Sequence, residues 1–78
     1  MRYQGASKED QEANDEKAVE LFEKAADKGN ASAQNHLGWM YMKGRGVSQE
    51  DQEANDKKAV ELYQQAANQG FASAQNNL

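Results

Sequence analysis

Cysteine, proline, isoleucine and threonine are all missing from this 78-residue chain. Without cysteine there is no disulfide scaffold, no zinc finger and no thiol nucleophile. The loss of isoleucine and threonine disfavours an all-β fold, because strands favour β-branched residues. Thirteen acidic against nine basic side chains give a net charge of −4 and no basic stripe, so nucleic acid is not an expected partner. The longest apolar run, Trp39-Met40-Tyr41-Met42, is too short to cross a membrane, and no membrane partner is expected. The opening residues, MRYQGASKEDQE, lack the apolar core of a secretion signal.

Large apolar side chains are scarce too. Leucine, isoleucine, valine and phenylalanine together make up 9 of 78 residues, a poverty that usually accompanies disorder. The apolar fraction is carried instead by 13 alanines. Alanine is the best helix former, and its small side chain lets helix backbones approach closely. The spacing of the alanines therefore decides between a disordered chain and a tightly packed helical one.

That spacing is periodic. A shift of 41 residues aligns residues 1–37 with 42–78, and 24 of the 37 pairs are identical. EDQEAND at Glu9–Asp15 returns at Glu50–Asp56, KAVEL at Lys17–Leu21 returns at Lys58–Leu62, and ASAQN at Ala31–Asn35 returns at Ala72–Asn76. A repeat of this kind marks a stacked array. Within each period Ala18, Leu21, Phe22, Ala25 and Ala26, then Ala59, Leu62, Tyr63, Ala66 and Ala67, form one stripe of a helix. Gly29 and Gly70 stand where such a helix would end in a left-handed cap. A second helix starts near Ala31 and runs through Met42, where Gly44 and Gly46 break it. The next helix has two candidate starts. Ser48 with Asp51, like Ser7 with Asp10, resembles a capping box, while Asn55 and Asn14 are caps immediately before the apolar stripe. A start near residue 50 with a solvated first turn or two is the favoured expectation.

The pattern Ala31-x-Ala33-x-x-x-Leu37-Gly38-x-x-Tyr41-x-x-Gly44-x-Gly46-Val47 resembles the signature of Sel-one-like repeats. So does Lys58-Ala59-x-x-Leu62-Tyr63-x-x-Ala66-Ala67-x-x-Gly70, and the resemblance covers nearly the whole chain. It implies an all-α fold: an α-solenoid of antiparallel helix pairs, a tetratricopeptide-like right-handed superhelix used as a scaffold for protein–protein contacts. The family often has tryptophan where Leu21 and Leu62 stand, and here the repeat is lengthened by SQEDQEA. Some relatives join the two helices of a repeat by a disulfide, which this chain has no cysteine to form. The expected organisation is a single repeat domain, residues 1–78, in two periods. Residues 1–37 hold a second-type helix over about 9–28 and a first-type helix from about 31. Residues 42–78 hold a second-type helix over about 50–69 and a truncated first-type helix at 72–78. With Tyr3 in the place of Gly44 and Leu78 where the first copy runs on into GWMYM, the piece reads as a fragment of a longer array.

Few residues offer chemistry. His36, the only histidine, is replaced by Asn77 in the second copy and has no cysteine or second histidine to complete a metal or nucleophile set, so it reads as a solvent-facing or rim residue. The runs Glu9-Asp10-Gln11-Glu12 and Glu50-Asp51-Gln52-Glu53 lack the ligand order of a calcium loop and suit the positive end of a helix dipole. Gly44-Arg45-Gly46 has neither the Lys-Ser/Thr nor the strand of a phosphate loop and reads as a turn. No catalytic residue, metal ligand or cofactor is assigned, and an enzyme is not expected.

The favoured function is a non-catalytic adaptor that holds a peptide or partner protein. Leu37, Met40 and Tyr41 fall on one side of their helix, while Trp39 and Met42 continue a different row with Asn35 and Ser32. Similarity to tetratricopeptide solenoids places that row on a concave surface, with Ser73 and Asn76 supplying the next one. A tryptophan there either anchors a ligand or packs on the adjacent repeat. The alternative function is a structural spacer or self-assembly element, a homo-oligomer joined through open solenoid edges at Leu21, Phe22, Phe71, Ala74 and Leu78.

Overall fold

The alanine-rich stripes become four helices in the computed structural model, which describes residues 8–77. These are α1 Lys8–Asp27, α2 Ala31–Lys43, α3 Gln52–Asn68 and α4 Ala72–Asn77. Helix α2 lies between α1 and α3, and α4 packs on α3. No strand occurs among the described residues.

One stop signal ends each of the first three helices. Asn30 N donates to Ala25 O and Gly29 N to Ala26 O; Arg45 N to Met40 O and Gly44 N to Tyr41 O; Phe71 N to Ala66 O and Gly70 N to Ala67 O. This paired pattern satisfies carbonyls that a helix end leaves open, and it needs a residue in the left-handed region. Gly29, Gly44 and Gly70 supply it at φ of 91°, 67° and 85°. The turns at 28–30 and 69–71 lead into helices that start differently. Asn30 caps α2, its Oδ1 accepting from Ala33 N at 2.9 Å, whereas the second copy has Phe71 in that place.

Helix α3 starts at Gln52, and its cap is neither Ser48 nor Asn55. Asp51 is the cap, its carboxylate accepting from Ala54 N at 3.0 Å. Ser48 instead closes a small turn, its Oγ accepting from Glu50 N at 3.2 Å. Asn55 is buried inside the helix and donates its amide to Ser48 O at 2.7 Å, stitching the loop to α3. A charged acceptor at the positive end of the dipole outcompetes the neutral candidates on either side. Asn14 lies within helix α1 (Lys8–Asp27), and the matching Ser7 is outside the described residues.

Two small cores result. Val19, Ala26, Ala33, Leu37, Met40 and Leu62 form one, and Ala59, Tyr63, Ala66 and Ala74 the other. Leu21 corrects the stripe read for α1: it is 57 % exposed, and Val19 takes the core position. Here α2 covers the Val19–Phe22–Ala26 side of α1, whereas Leu62 of α3 packs into the same core as Val19, Ala26, Leu37 and Met40. At Gly38, α2 and α3 are in close contact; a Cβ there would lie 3.0 Å from Tyr63 Cε1 and 3.2 Å from Ala59 O.

Polar locks repeat with the cores. Gln34 is buried, donates from Nε2 to Ala26 O at 3.2 Å, and accepts from Gln69 Nε2 at 2.8 Å. Its counterpart Gln75 makes the same bond to Ala67 O, also at 3.2 Å. Each ties the start of one helix to a carbonyl in the last turn of the helix before it, which also accepts from the capping glycine.

Candidate functional site

The apolar side of α2 is consumed by its neighbours: Ala33, Leu37, Gly38 and Met40 are buried and Tyr41 is half-buried. Helical geometry then leaves one long row facing away, at Ser32, Asn35, His36, Trp39, Met42 and Lys43. All of these are exposed except Asn35, which is half-buried. Trp39 is 41 % exposed and Met42 38 %. Ser73 and Asn76 of α4 are likewise exposed.

Three residues, Asn77, His36 and Arg45, organise this face. Asn77 donates from Nδ2 to Asn35 Oδ1 at 3.2 Å, linking the rows of α4 and α2. The His36 ring stacks on Phe22 of α1, with centroids 5.2 Å apart and planes at 23°. His36 Nδ1 lies 3.0 Å from Ser32 O, and because a carbonyl only accepts, Nδ1 is the donor of that hydrogen bond. Arg45 covers one side of the tryptophan, its guanidinium 5.6 Å from the Trp39 ring centroid, while it pairs with Asp15 of α1 through Nε at 3.0 Å and Nη2 at 3.2 Å.

Charge is partitioned as sharply as burial. Every acidic residue lies at or before Asp27 or between Glu50 and Glu61, so α2 and α4 contain none. The row therefore presents amides, hydroxyls, one imidazole and one aromatic anchor, without carboxylates of its own. Among the described residues no group of three or more His, Asp or Glu side chains is arranged to hold a metal ion. Among them, too, no helix is long and apolar enough to cross a membrane.

Beneath this face Tyr41 donates to Glu23 across the α1–α2 contact at 3.4 Å. Burial raises the Tyr41 pKa above its ordinary value, and the adjacent Glu23 charge and hydrogen bond add to it. Burial alone raises that of Tyr63.

The structure brings Ser32, Asn35, Trp39 and Met42 together on one helix face and carries the row to Asn77 of α4. Sequence reasoning did not reach His36 or Arg45 as members of the site. The helical spacing of His36, four residues after Ser32 and three before Trp39, was a usable signal; the Asp15–Arg45 pairing, across thirty residues of chain, left none. The expected edge residues separate. Leu21 is exposed, Phe22 is partly covered by His36, and Phe71 is half-buried against the second core. Ala74 is a correction: it is fully buried in the α3–α4 contact, since a side chain this small fits where two helices meet. Leu78 lies outside the described residues.

A family model for the Sel1 repeat matches residues 1–30 and 31–71. The chain belongs to the Sel1 repeat family. The second match runs from the first residue of α2 to just past α3, so the family's unit is the α2–α3 pair. Sel1 repeats are helical, solenoid-type, non-catalytic scaffolds that generally mediate protein–protein interaction. Comparison with curated proteins and with solved structures gives no match.

Proposed function

We propose that this Sel1 pair is an adaptor whose α2 row, continued by Ser73 and Asn76, forms a groove for an extended segment of a partner protein. The observation that carries the reading is Trp39, two-fifths exposed on a helix face free of acidic residues. Arg45 holds the indole on one side, so little side-chain freedom is lost when a ligand packs on the other. The Nδ2 of Asn35 and the amide of Asn76 supply paired donors and acceptors for a peptide backbone. Peptides selected from a random displayed library on the wild-type chain provide the test. Their affinity should fall at least about tenfold on Trp39→Ala, the loss typical of an aromatic anchor, with helicity unchanged. Equal binding to Trp39→Ala removes the reading.

A second reading, association through an open face of α1, is favoured by Leu21, 57 % exposed where its counterpart Leu62 is 4 % exposed. On this reading the pair is a spacer or assembly element, and its mass in solution rises with concentration.

A further inference from the structure

Helices α1 and α3 flank α2 and leave an open groove of about 370 Å³ between them. Buried Leu37 of α2, Leu62 of α3 and Ala26 of α1 form its floor. One wall carries Glu23 and Asp27 of α1, the other Lys58 and Gln65 of α3. Leu37 lies on the opposite side of α2 from Trp39, two residues on, so this groove is separate from the α2 row.

The two walls do not neutralise each other. Among the described residues no cation, Lys58 included, lies within ion-pair distance of Glu23 or Asp27. Oε2 of Glu23 accepts from the Tyr41 hydroxyl at 3.4 Å, and no described group donates to its other oxygen. Asp27 is exposed in the last turn of α1, where the negative end of the helix dipole favours a cation. The fold does not require either charge. Forty-one residues on, Glu23 and Asp27 become Gln64 and Asn68, amides of the same shape, on a helix that forms equally well. Lys24 and Lys28 become glutamines too, but neither lines the groove.

We propose that the α1–α3 groove docks an arginine side chain of a partner protein. The guanidinium forks onto Glu23 and Asp27, one turn apart on the same wall, and the aliphatic stem lies over Leu62 and Leu37. Two carboxylates against the single ammonium of Lys58 leave the groove with a net charge of −1, which one arginine neutralises. Arginine is preferred to lysine because its planar fork reaches both carboxylates at once, whereas an ammonium is a point charge. No residue of the α2 row takes part, so the proposal stands or falls apart from the groove around Trp39.

The test uses the 78-residue chain, isotopically labelled, and a blocked tripeptide, acetyl-Ala-Arg-Ala-amide. Titration into the millimolar range should shift the amide resonances of Glu23–Asp27 and Leu62–Gln65 saturably. The same peptide with citrulline for arginine, equal in shape but uncharged, should bind about fivefold more weakly, the scale of a part-exposed ion pair. Against the chain variant Glu23→Gln with Asp27→Asn, which copies the second repeat, the two peptides should bind alike. The variant Glu12→Gln with Glu16→Gln removes as many charges from another exposed part of α1 and should keep the fivefold preference. The proposal is overturned by absence of binding at millimolar peptide or by arginine and citrulline peptides that bind wild type alike. Loss of the preference in the Glu12 and Glu16 variant overturns it as well, as do shifts confined to the α2 row.

Discussion

Gly38 of α2 faces the edge of the Tyr63 ring on α3 with no room for a methyl group: an added Cβ would sit 3.0 Å from Cε1 and 3.1 Å from Cδ1. Two effects oppose each other at this position. Alanine stabilises a helix interior over glycine by about 1 kcal/mol, whereas overpacking a filled core costs about 1–3 kcal/mol. Tyr63 is 1 % exposed and Ala59 O, 3.2 Å from the same point, belongs to helix backbone, so neither can give way cheaply. The clash wins. Gly38→Ala should lower unfolding free energy by about 1 kcal/mol and Gly38→Val by more, read from urea melts followed by circular dichroism. A Gly38→Ala chain more stable than wild type would show that α2 and α3 can separate without loss.

Gln34 holds a helix junction together by accepting from one neighbour and donating to another. Gln34→Ala removes the donor to Ala26 O and leaves Gln69 Nε2 without its acceptor, in a place where the side chain is 5 % exposed. Unmaking buried hydrogen bonds of this kind costs about 1–3 kcal/mol. Gln69→Ala, on an exposed residue, should cost less, and the double variant should fall short of the sum because the two share a bond. Chemical denaturation of the four chains of this cycle measures the coupling, and strict additivity would mean that the 2.8 Å contact contributes nothing.

Legibility in the sequence depends on which interactions are local. Helix stops at Gly29, Gly44 and Gly70 are legible because a left-handed cap is written in one residue type. The side of α2 that carries Trp39 and Met42 is legible because helical periodicity separates it from Leu37 and Tyr41. The cap of α3 is not, since Ser48, Asp51 and Asn55 are all good caps and only the folded loop shows which carboxylate or amide has a free N–H within reach. Val19 takes the core position expected of Leu21 for a similar reason. Periodicity finds a stripe, but which edge of it is buried depends on which side the neighbouring helices lie, as Val19 and Leu62 in one core show. The Arg45 clamp ties the end of α2, where Trp39 lies, to Asp15 thirty residues earlier, and that pairing belongs to tertiary structure.

Alkaline pH should weaken the fold through its tyrosines. The pKa values of Tyr41 and Tyr63 are raised in the folded chain, chiefly by burial and, for Tyr41, also by Glu23. Below the unfolded value of about 10 both states hold these protons and the contribution to stability is whole. Above it the unfolded chain releases them first, so stability is lost as pH rises through the folded pKa values. Urea midpoints measured from about pH 8 to beyond about pH 10 should therefore fall, and Tyr63→Phe and Tyr41→Phe should each flatten the decline. An unchanged slope in both variants would assign the alkaline loss to other groups.

The repeat also offers a controlled comparison of burial, because the same substitution can be made at Leu21 and at Leu62. Leu62 is 4 % exposed in the first core, and removing its side chain should cost about 2–4 kcal/mol by lost burial and a residual cavity. Leu21 is 57 % exposed, and Leu21→Ala should change stability by less than about 0.5 kcal/mol if the chain is monomeric. The same two variants address assembly. If the exposed face of α1 joins molecules, light scattering across a concentration series should show wild-type mass rising, and Leu21→Glu should return it to one chain without loss of helicity. A constant mass for wild type would confine the role of Leu21 to the monomer surface and leave the α2 row as the face on which partner binding rests.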